Sequence, residues 1–130
     1  MNYAGILLEY NSTYMLCKRQ EDVPLGGYWS VPGGSIESGE NSAEAAIREL
    51  YEETQIKVSI YDIELVDVFP TVQRGRDFYL YHSTIQRYIE PVLDFEHTDW
   101  GWFSEDELPS PIQDNLKKII SPKYNFSESG

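Results

Sequence analysis

Three carboxylates crowd the stretch Arg48-Glu49-Leu50-Tyr51-Glu52-Glu53, with Glu44 just upstream, in a chain of net charge −12. Carboxylates three and four residues apart are neighbours on a helix, and like charges there destabilise it. At 100° per residue, Glu52 sits about −60° and Glu53 about +40° from Glu49, so all three share an arc of roughly 100°. That arc borders an apolar face containing Ala46, Ile47 and Leu50. Carboxylates crowded beside a core raise one another's pKa unless a cation compensates them. Taken alone, the stretch reads first as a solvated acidic face, with Arg48 pairing Glu52 at i,i+4.

Two features outside the stretch favour a cation. Gly33 and Gly34 let the backbone approach closely, so a bare carbonyl there can serve as an oxygen ligand. Mg²⁺ takes oxygen ligands, accepts one or two carboxylates and shares its shell with water and substrate phosphates. The second feature is the spacing from Gly34 to Glu40 to Arg48. The run from Gly34 to Ile56 resembles the box of the Nudix hydrolase family at Gly34, Glu40, Arg48, Glu49, Leu50, Glu52, Glu53 and Ile56. Trp29, Pro32 and Gly33 match what commonly precedes that box. A looser likeness covers most of the chain, from a hairpin ending in Lys18-Arg19 to the late segment "EHTDWGWFSEDELP". One position departs: Gln55 stands where the box has glycine. That place lies just past the helix, where a left-handed residue commonly caps it. The left-handed conformation costs a residue such as Gln roughly 1 kcal/mol.

The resemblance implies hydrolysis of a pyrophosphate bond in a nucleoside diphosphate linked to another group. Glu49, Glu52 and Glu53, with a Gly33 or Gly34 carbonyl, would hold one to three Mg²⁺ ions, with Mn²⁺ able to substitute. Arg48 would orient the glutamates, and Glu40 would brace the loop. The base is Glu49 or a distant carboxylate. Glu96 is the candidate for the second option, and it reads equally as a surface acid. Arg19 is placed either to meet substrate phosphates or as an exposed strand-end charge. Arg74 and Arg76 flank a turn and read as a phosphate clamp or a solvated hairpin tip. The competing reading is a Nudix-like domain that binds a nucleotide as a sensor or regulator without cleaving it. Such domains typically lose box glutamates, and this chain keeps them. The substrate stays open between a nucleoside triphosphate, a nucleotide sugar and ADP-ribose. Pro70 lies 14 residues past Ile56, near a proline found in ADP-ribose hydrolases of the family. The family also leaves a homodimer open.

The elements that must position these residues are those of one domain over 1–130, with 121–130 as a loose tail. Asn41 and Glu44 form a capping-box pattern ahead of the apolar positions Ala43, Ala46, Ile47 and Leu50. The runs "YAGILLEY" and "TYMLCKR", split by Asn11-Ser12, read as a β-hairpin. "YWSV" is a short strand stopped by Pro32-Gly33-Gly34. "IKVSIYDIELVDVF" reads as strand with a turn near Tyr61-Asp62. "QRGR" is a turn, and "DFYLYHSTI" and "DWGWF" are strands. "SEDELPSPIQDNLKKII" reads as a Ser-capped turn and a short helix. The expected fold is α+β: a mixed β-sheet between helices, not a doubly wound parallel sheet.

Composition narrows the partners. With 22 acidic and 10 basic residues, long nucleic acid is not an expected partner. A small anionic nucleotide is compatible, because a bound cation can reverse the local field. Cys17 is the single cysteine, so no internal disulfide forms and a reducing cytoplasm is expected. No apolar run reaches the roughly 20 residues that span a membrane, and the first residues lack the pattern of a signal peptide. Trp29, Tyr79, Tyr81, Trp100 and Trp102 read chiefly as core, although an aromatic face can also stack on a base. His82 and His97 show no zinc spacing, and Cys17 reads as buried and inert.

Overall fold

Asn11 and Ser12 both adopt positive φ, 48° and 60°. This is the backbone of a two-residue primed turn, whose twist matches that of the strands it joins. It links β1 (Tyr3–Tyr10) to β2 (Thr13–Arg19) as an antiparallel hairpin. The computed structural model describes residues 1–121. The hairpin becomes the centre of a sheet ordered β3-β2-β1-β6-β5. Here β3 is Trp29–Ser30, β5 is Glu64–Pro70 and β6 is Asp77–Thr84. β4 (Gly33–Ser35) also pairs with β1, and β7 (His97–Phe103) with β2. β1 and β6 run parallel while the other pairs are antiparallel, so the sheet is mixed.

Period-two alternation divides the sheet between two cores. Ala4, Ile6 and Leu8 of β1, with Met15 and Cys17 of β2, meet Ala45, Ala46 and Leu50 of α1 (Ser42–Thr54). Leu7, Leu16 and Leu80 face the other way, onto Leu116 and Ile119 of α2 (Asp114–Ile119). A mixed sheet with a helix on each face is the expected α+β architecture.

The capping box forms at the start of α1. The Glu44 amide donates to Asn41 Oδ1 at 2.8 Å, and the Asn41 amide donates to Glu44 Oε1 at 2.9 Å. The buried face is Ala45, Ala46, Leu50, Glu53 and Thr54. Ala43 and Ile47 are only partly buried at its edge, so Ala45 takes an inner place that the spacing did not assign. Gln55 ends the helix in the left-handed region, φ 61° and ψ 18°, with its N–H donating to the Tyr51 carbonyl. Gln55 therefore carries the conformation that glycine adopts freely. Gln55→Gly is expected to raise unfolding stability by about 1 kcal/mol, read as a denaturant midpoint shift at unchanged m-value. An unchanged midpoint would show that Gln55 sits there without strain.

The structure corrects three readings of the chain. The short strand does end before Pro32, as β3 at Ser30, but Gly33 and Gly34 are not a mere stop, because Gly33–Ser35 is itself β4. The glycines serve close approach: a Cβ on Gly33 would lie 2.6 Å from the Ala4 carbonyl oxygen. The strand expected from Ile56 begins only at Glu64. Ile56 is buried in the α1-side core, and Ser59 accepts the Tyr61 amide to cap a 3₁₀ turn over Ile60–Asp62, a local bond that competes with strand pairing. The turn after β7 is closed through the Ser104 carbonyl, and Gln113, at the N-cap of α2, makes no side-chain cap bond. Residues 122–130, most of the expected tail, lie outside the described residues. Among the described residues, no helix is long and apolar enough to cross a membrane.

Candidate active site

Glu49 projects from α1 onto the backbone of β4. A Cβ built on Gly34 would lie 2.5 Å from the Glu49 carboxyl carbon and 2.6 Å from each of its oxygens. The carboxylate thus occupies the volume that any side chain at position 34 would need. Gly34 and Glu49 are brought together because α1 packs across β1 and β4.

Arg48 organises the surrounding acids. Its Nε and Nη2 donate to the two oxygens of Glu40 at 2.8 and 2.9 Å, a bidentate fork. Nη2 also donates to the Ser35 carbonyl at 2.9 Å. Nη1 donates to Glu49 at 3.0 Å and to Glu52 at 3.1 Å. The bond to Arg48 holds the Glu40 carboxyl below the usual carboxylate range, and the Glu37 amide adds to this. The same bonds keep the guanidinium protonated, Glu40 contributing most. Glu40 is consequently committed to the loop–helix junction. Glu49 and Glu52 share one cationic nitrogen, Glu49 part-buried and Glu52 about half exposed.

Glu53 is different: it is 1% exposed. The Gly33 N–H approaches its Oε1 only at 3.4 Å, and no donor reaches Oε2. Its near neighbour is another carboxyl, Glu49, and that pair holds together only by sharing a proton or a cation. Burial pushes the Glu53 carboxyl well above the usual range; contact with Glu49 and the charges of Glu49, Asp94 and Glu96 push it further. In the folded, metal-free protein Glu53 therefore holds a proton that the unfolded chain releases near pH 4.3. Its contribution to stability is fully present below that pH and is lost as pH rises towards the folded-state pKa, with a slope of at most about 1.4 kcal/mol per pH unit. Thermal melts of chelated protein are expected to fall between pH 5 and pH 8, and a saturating divalent cation is expected to flatten that fall. Parallel pH profiles with and without the cation would contradict this.

A cavity of about 830 Å³ opens at this place. Gly33, Gly34, Glu49, Glu96 and Arg19 line it together. Tyr28, Pro70, Phe78, Gln113, Asp114 and Lys117 are among the residues that line it elsewhere. Of the three arginines considered as phosphate contacts, the structure brings Arg19 to the cavity but not Arg74 or Arg76. Arg76 instead approaches the Tyr3 hydroxyl at 3.4 Å, at the β5–β6 hairpin. Lys117 was missed, and its only sequence signal is a basic residue in the last turn of a short helix. The aromatic residues are chiefly core, as expected: Tyr79, Trp100 and Trp102 pack on the α1 side and Trp29 on the α2 side. Cys17 is buried, and burial together with the charges of Glu53, Asp94 and Asp99 pushes its thiol pKa up, which leaves it a poor nucleophile.

His97 was also missed, because its partners are not in one motif. Its side chain is fully buried, with Nδ1 3.0 Å from Asp94 and Nε2 3.6 Å from Glu53.

These residues fit a hard divalent cation. The donors are carboxylate oxygens, one of them buried without a partner, next to a glycine whose missing side chain leaves room for a carboxylate.

Comparison with known proteins bears on the family and the fold. The family model described as the NUDIX domain matches residues 2–124. A protein of Bacillus subtilis (strain 168), named as a candidate 8-oxo-dGTP diphosphatase, is 47% identical over 96% of this chain and 80% of its own length. An RNA pyrophosphohydrolase of Erythrobacter litoralis (strain HTCC2594) is 26% identical over 84% of this chain and 79% of its own. The crystal structure of a MutT NUDIX hydrolase from Burkholderia pseudomallei superposes with a TM-score of 0.75 at 24% identity, covering 91% of this chain and 93% of that one, and shares the fold. This chain belongs to the NUDIX family and is a hydrolase.

Proposed function

We propose that this protein hydrolyses a pyrophosphate bond of a nucleoside triphosphate, with Mg²⁺ held by Glu49, Glu52 and Glu53. The observation that carries this reading is the Glu49 carboxylate seated over Gly34 at the cavity wall, next to the buried, partnerless Glu53 oxygen. Bound Mg²⁺ supplies charge neutralisation at the phosphates and orients the leaving group. The chain's own residues do the rest. Arg48 fixes the Glu49 and Glu52 carboxylates through one nitrogen, so they are ordered before substrate arrives. Glu96 lies on the same cavity wall, and no hydrogen bond ties its carboxylate among the described residues. It is free to take the proton of the attacking water, as a general base must. Arg19 and Lys117 bring positive charge to an otherwise acidic cavity. Tyr28 and Phe78 offer ring faces, and Gln113 and Asp114 offer hydrogen-bonding edges, for a nucleobase. The cavity volume falls in the range of roughly 300–1,000 Å³ usual for small-ligand sites.

The triphosphate is favoured over ADP-ribose by the likeness to the B. subtilis relative. Pro70 also lines the cavity, so the competing substrate belongs in the test. The balance of 22 acidic to 10 basic residues disfavours an RNA chain. The single domain over 1–130 and a reducing cytoplasm are part of the same reading.

The experiment is a substrate panel. It holds nucleoside triphosphates with ordinary and oxidised guanine, ADP-ribose, nucleotide sugars, dinucleoside polyphosphates and 5′-triphosphorylated RNA. Each is assayed with Mg²⁺, Mn²⁺ or EDTA. Release of a nucleoside monophosphate from the triphosphates with Mg²⁺, and none with EDTA, is expected. Turnover that survives EDTA would remove the metal from the mechanism. Turnover confined to ADP-ribose would replace the substrate.

A further inference from the structure

Three side chains from separate segments converge beneath the acidic cluster: Glu53 in the last turn of α1, Asp94 in the loop before β7, and His97 at the start of β7. One donor atom from each lies within 4.8 Å of the others. The side chains of His97 and Glu53 are 0% and 2% exposed. In the tautomer that carries its proton on Nδ1, His97 donates to Asp94 Oδ1 across 3.0 Å. Nε2 is then a bare lone pair. It faces Glu53 Oε1 at 3.6 Å and has no hydrogen-bond partner, and neither has Glu53 Oε2. A separation of 3.6 Å is too long for a hydrogen bond. It suits a shared ion, because two donors about 2.1 Å from one metal at a tetrahedral angle stand roughly 3.4 Å apart. The donors are also held by the backbone: the Asp94 amide donates to the Glu53 carbonyl at 3.2 Å, and the Val92 amide to the Thr54 carbonyl at 2.9 Å.

We propose that Glu53 and His97 Nε2 bind a first-row transition dication, with Asp94 orienting the imidazole. A carboxylate on the far ring nitrogen is the usual partner of a metal-ligating histidine, fixing its tautomer and aim. An imidazole nitrogen suits Zn²⁺, Fe²⁺ or Ni²⁺, whereas a site of oxygen ligands alone suits Mg²⁺, and affinity rises along the series from Mn²⁺ to Co²⁺ and beyond. The site stands on its own geometry and does not depend on the proposed reaction. It shares Glu53 with the proposed Mg²⁺ site, so one carboxylate can bridge two ions.

The test uses the full chain, stripped of metal and free of nucleotide. With Mn²⁺ added, pulsed EPR is expected to show ¹⁴N coupling from a directly bound imidazole, and the signal persists in excess Mg²⁺. Co²⁺ titration is expected to show a tight equivalent with visible absorption. His97→Gln loses both signals, and Asp94→Asn weakens Co²⁺ binding by about 10- to 100-fold. Wild-type protein without ¹⁴N coupling overturns the proposal whether or not the variants fold. So does a His97→Gln protein that binds the same number of ions with the same spectra. Either failure, with Mg²⁺-dependent turnover intact, leaves the proposed function standing.

Discussion

Glu53→Gln is expected to produce a folded protein that melts higher than the chelated wild type yet has lost Mg²⁺-dependent turnover by about 10³-fold or more. The two effects have one cause. Glu53 is a buried carboxyl beside Glu49, with no donor on Oε2. An amide of nearly the same shape is neutral at every pH, so folding near neutral pH no longer has to take up a proton at this buried place, and the metal-free fold gains. The same substitution takes away a charged oxygen ligand. A metal Lewis acid is worth several kcal/mol at the transition state, and each 1.36 kcal/mol is tenfold in rate. The measurements are melting temperature in EDTA and kcat with Mg²⁺. A variant that keeps near-normal turnover would end the metal assignment of Glu53.

Gly34→Ala carries the second large effect and acts through space rather than charge. The new methyl would sit 2.5 Å from the Glu49 carboxyl carbon, inside any allowed contact. The carboxylate must move, and the bond from Arg48 Nη1 to Glu49 must stretch or break. A shift of about 1 Å at a reacting group can lower turnover by about 10²-fold, while the core residues beneath are untouched. Gly39→Ala is the control. Gly39 has φ +87°, but a Cβ there meets nothing within 4 Å. It is expected to strain the backbone and lower stability with little change in kcat. If the two variants lose activity equally, the placement of Glu49 is not what matters.

The parts of the fold that were legible in the sequence are those decided by neighbours in the chain. The Asn11-Ser12 turn, the Asn41–Glu44 capping box and the left-handed position of Gln55 each follow from a few consecutive residues. Helical spacing placed the box glutamates together without any tertiary contact, and the spacing from Gly34 through Glu40 to Arg48 turned that acidic face into a candidate cation site. What escaped depends on distant packing. Gly33 and Gly34 have the composition of a strand stop, but here they serve close approach between strands. His97 showed no partner because its partners stand on α1 and in the loop before β7. It is brought near Glu53 only once β7 pairs with β2 and places His97 opposite Arg19. Arg74 and Arg76 had the right chemistry for phosphate, but although residues 69–73 and Phe78 of their hairpin line the cavity, these two residues do not.

The end of α1 carries one more consequence. A helix concentrates partial negative charge at its C-terminus, where cationic residues are the favourable complement. α1 has no basic residue in its last turn and places Glu52 and Glu53 there instead. The macrodipole and the carboxylates thus repel the same place. On the proposed reading, the bound cation supplies the positive charge that lysine or arginine provides at other helix ends. The last turn of α1 is then completed by the ion, and its order is coupled to whether the enzyme is loaded.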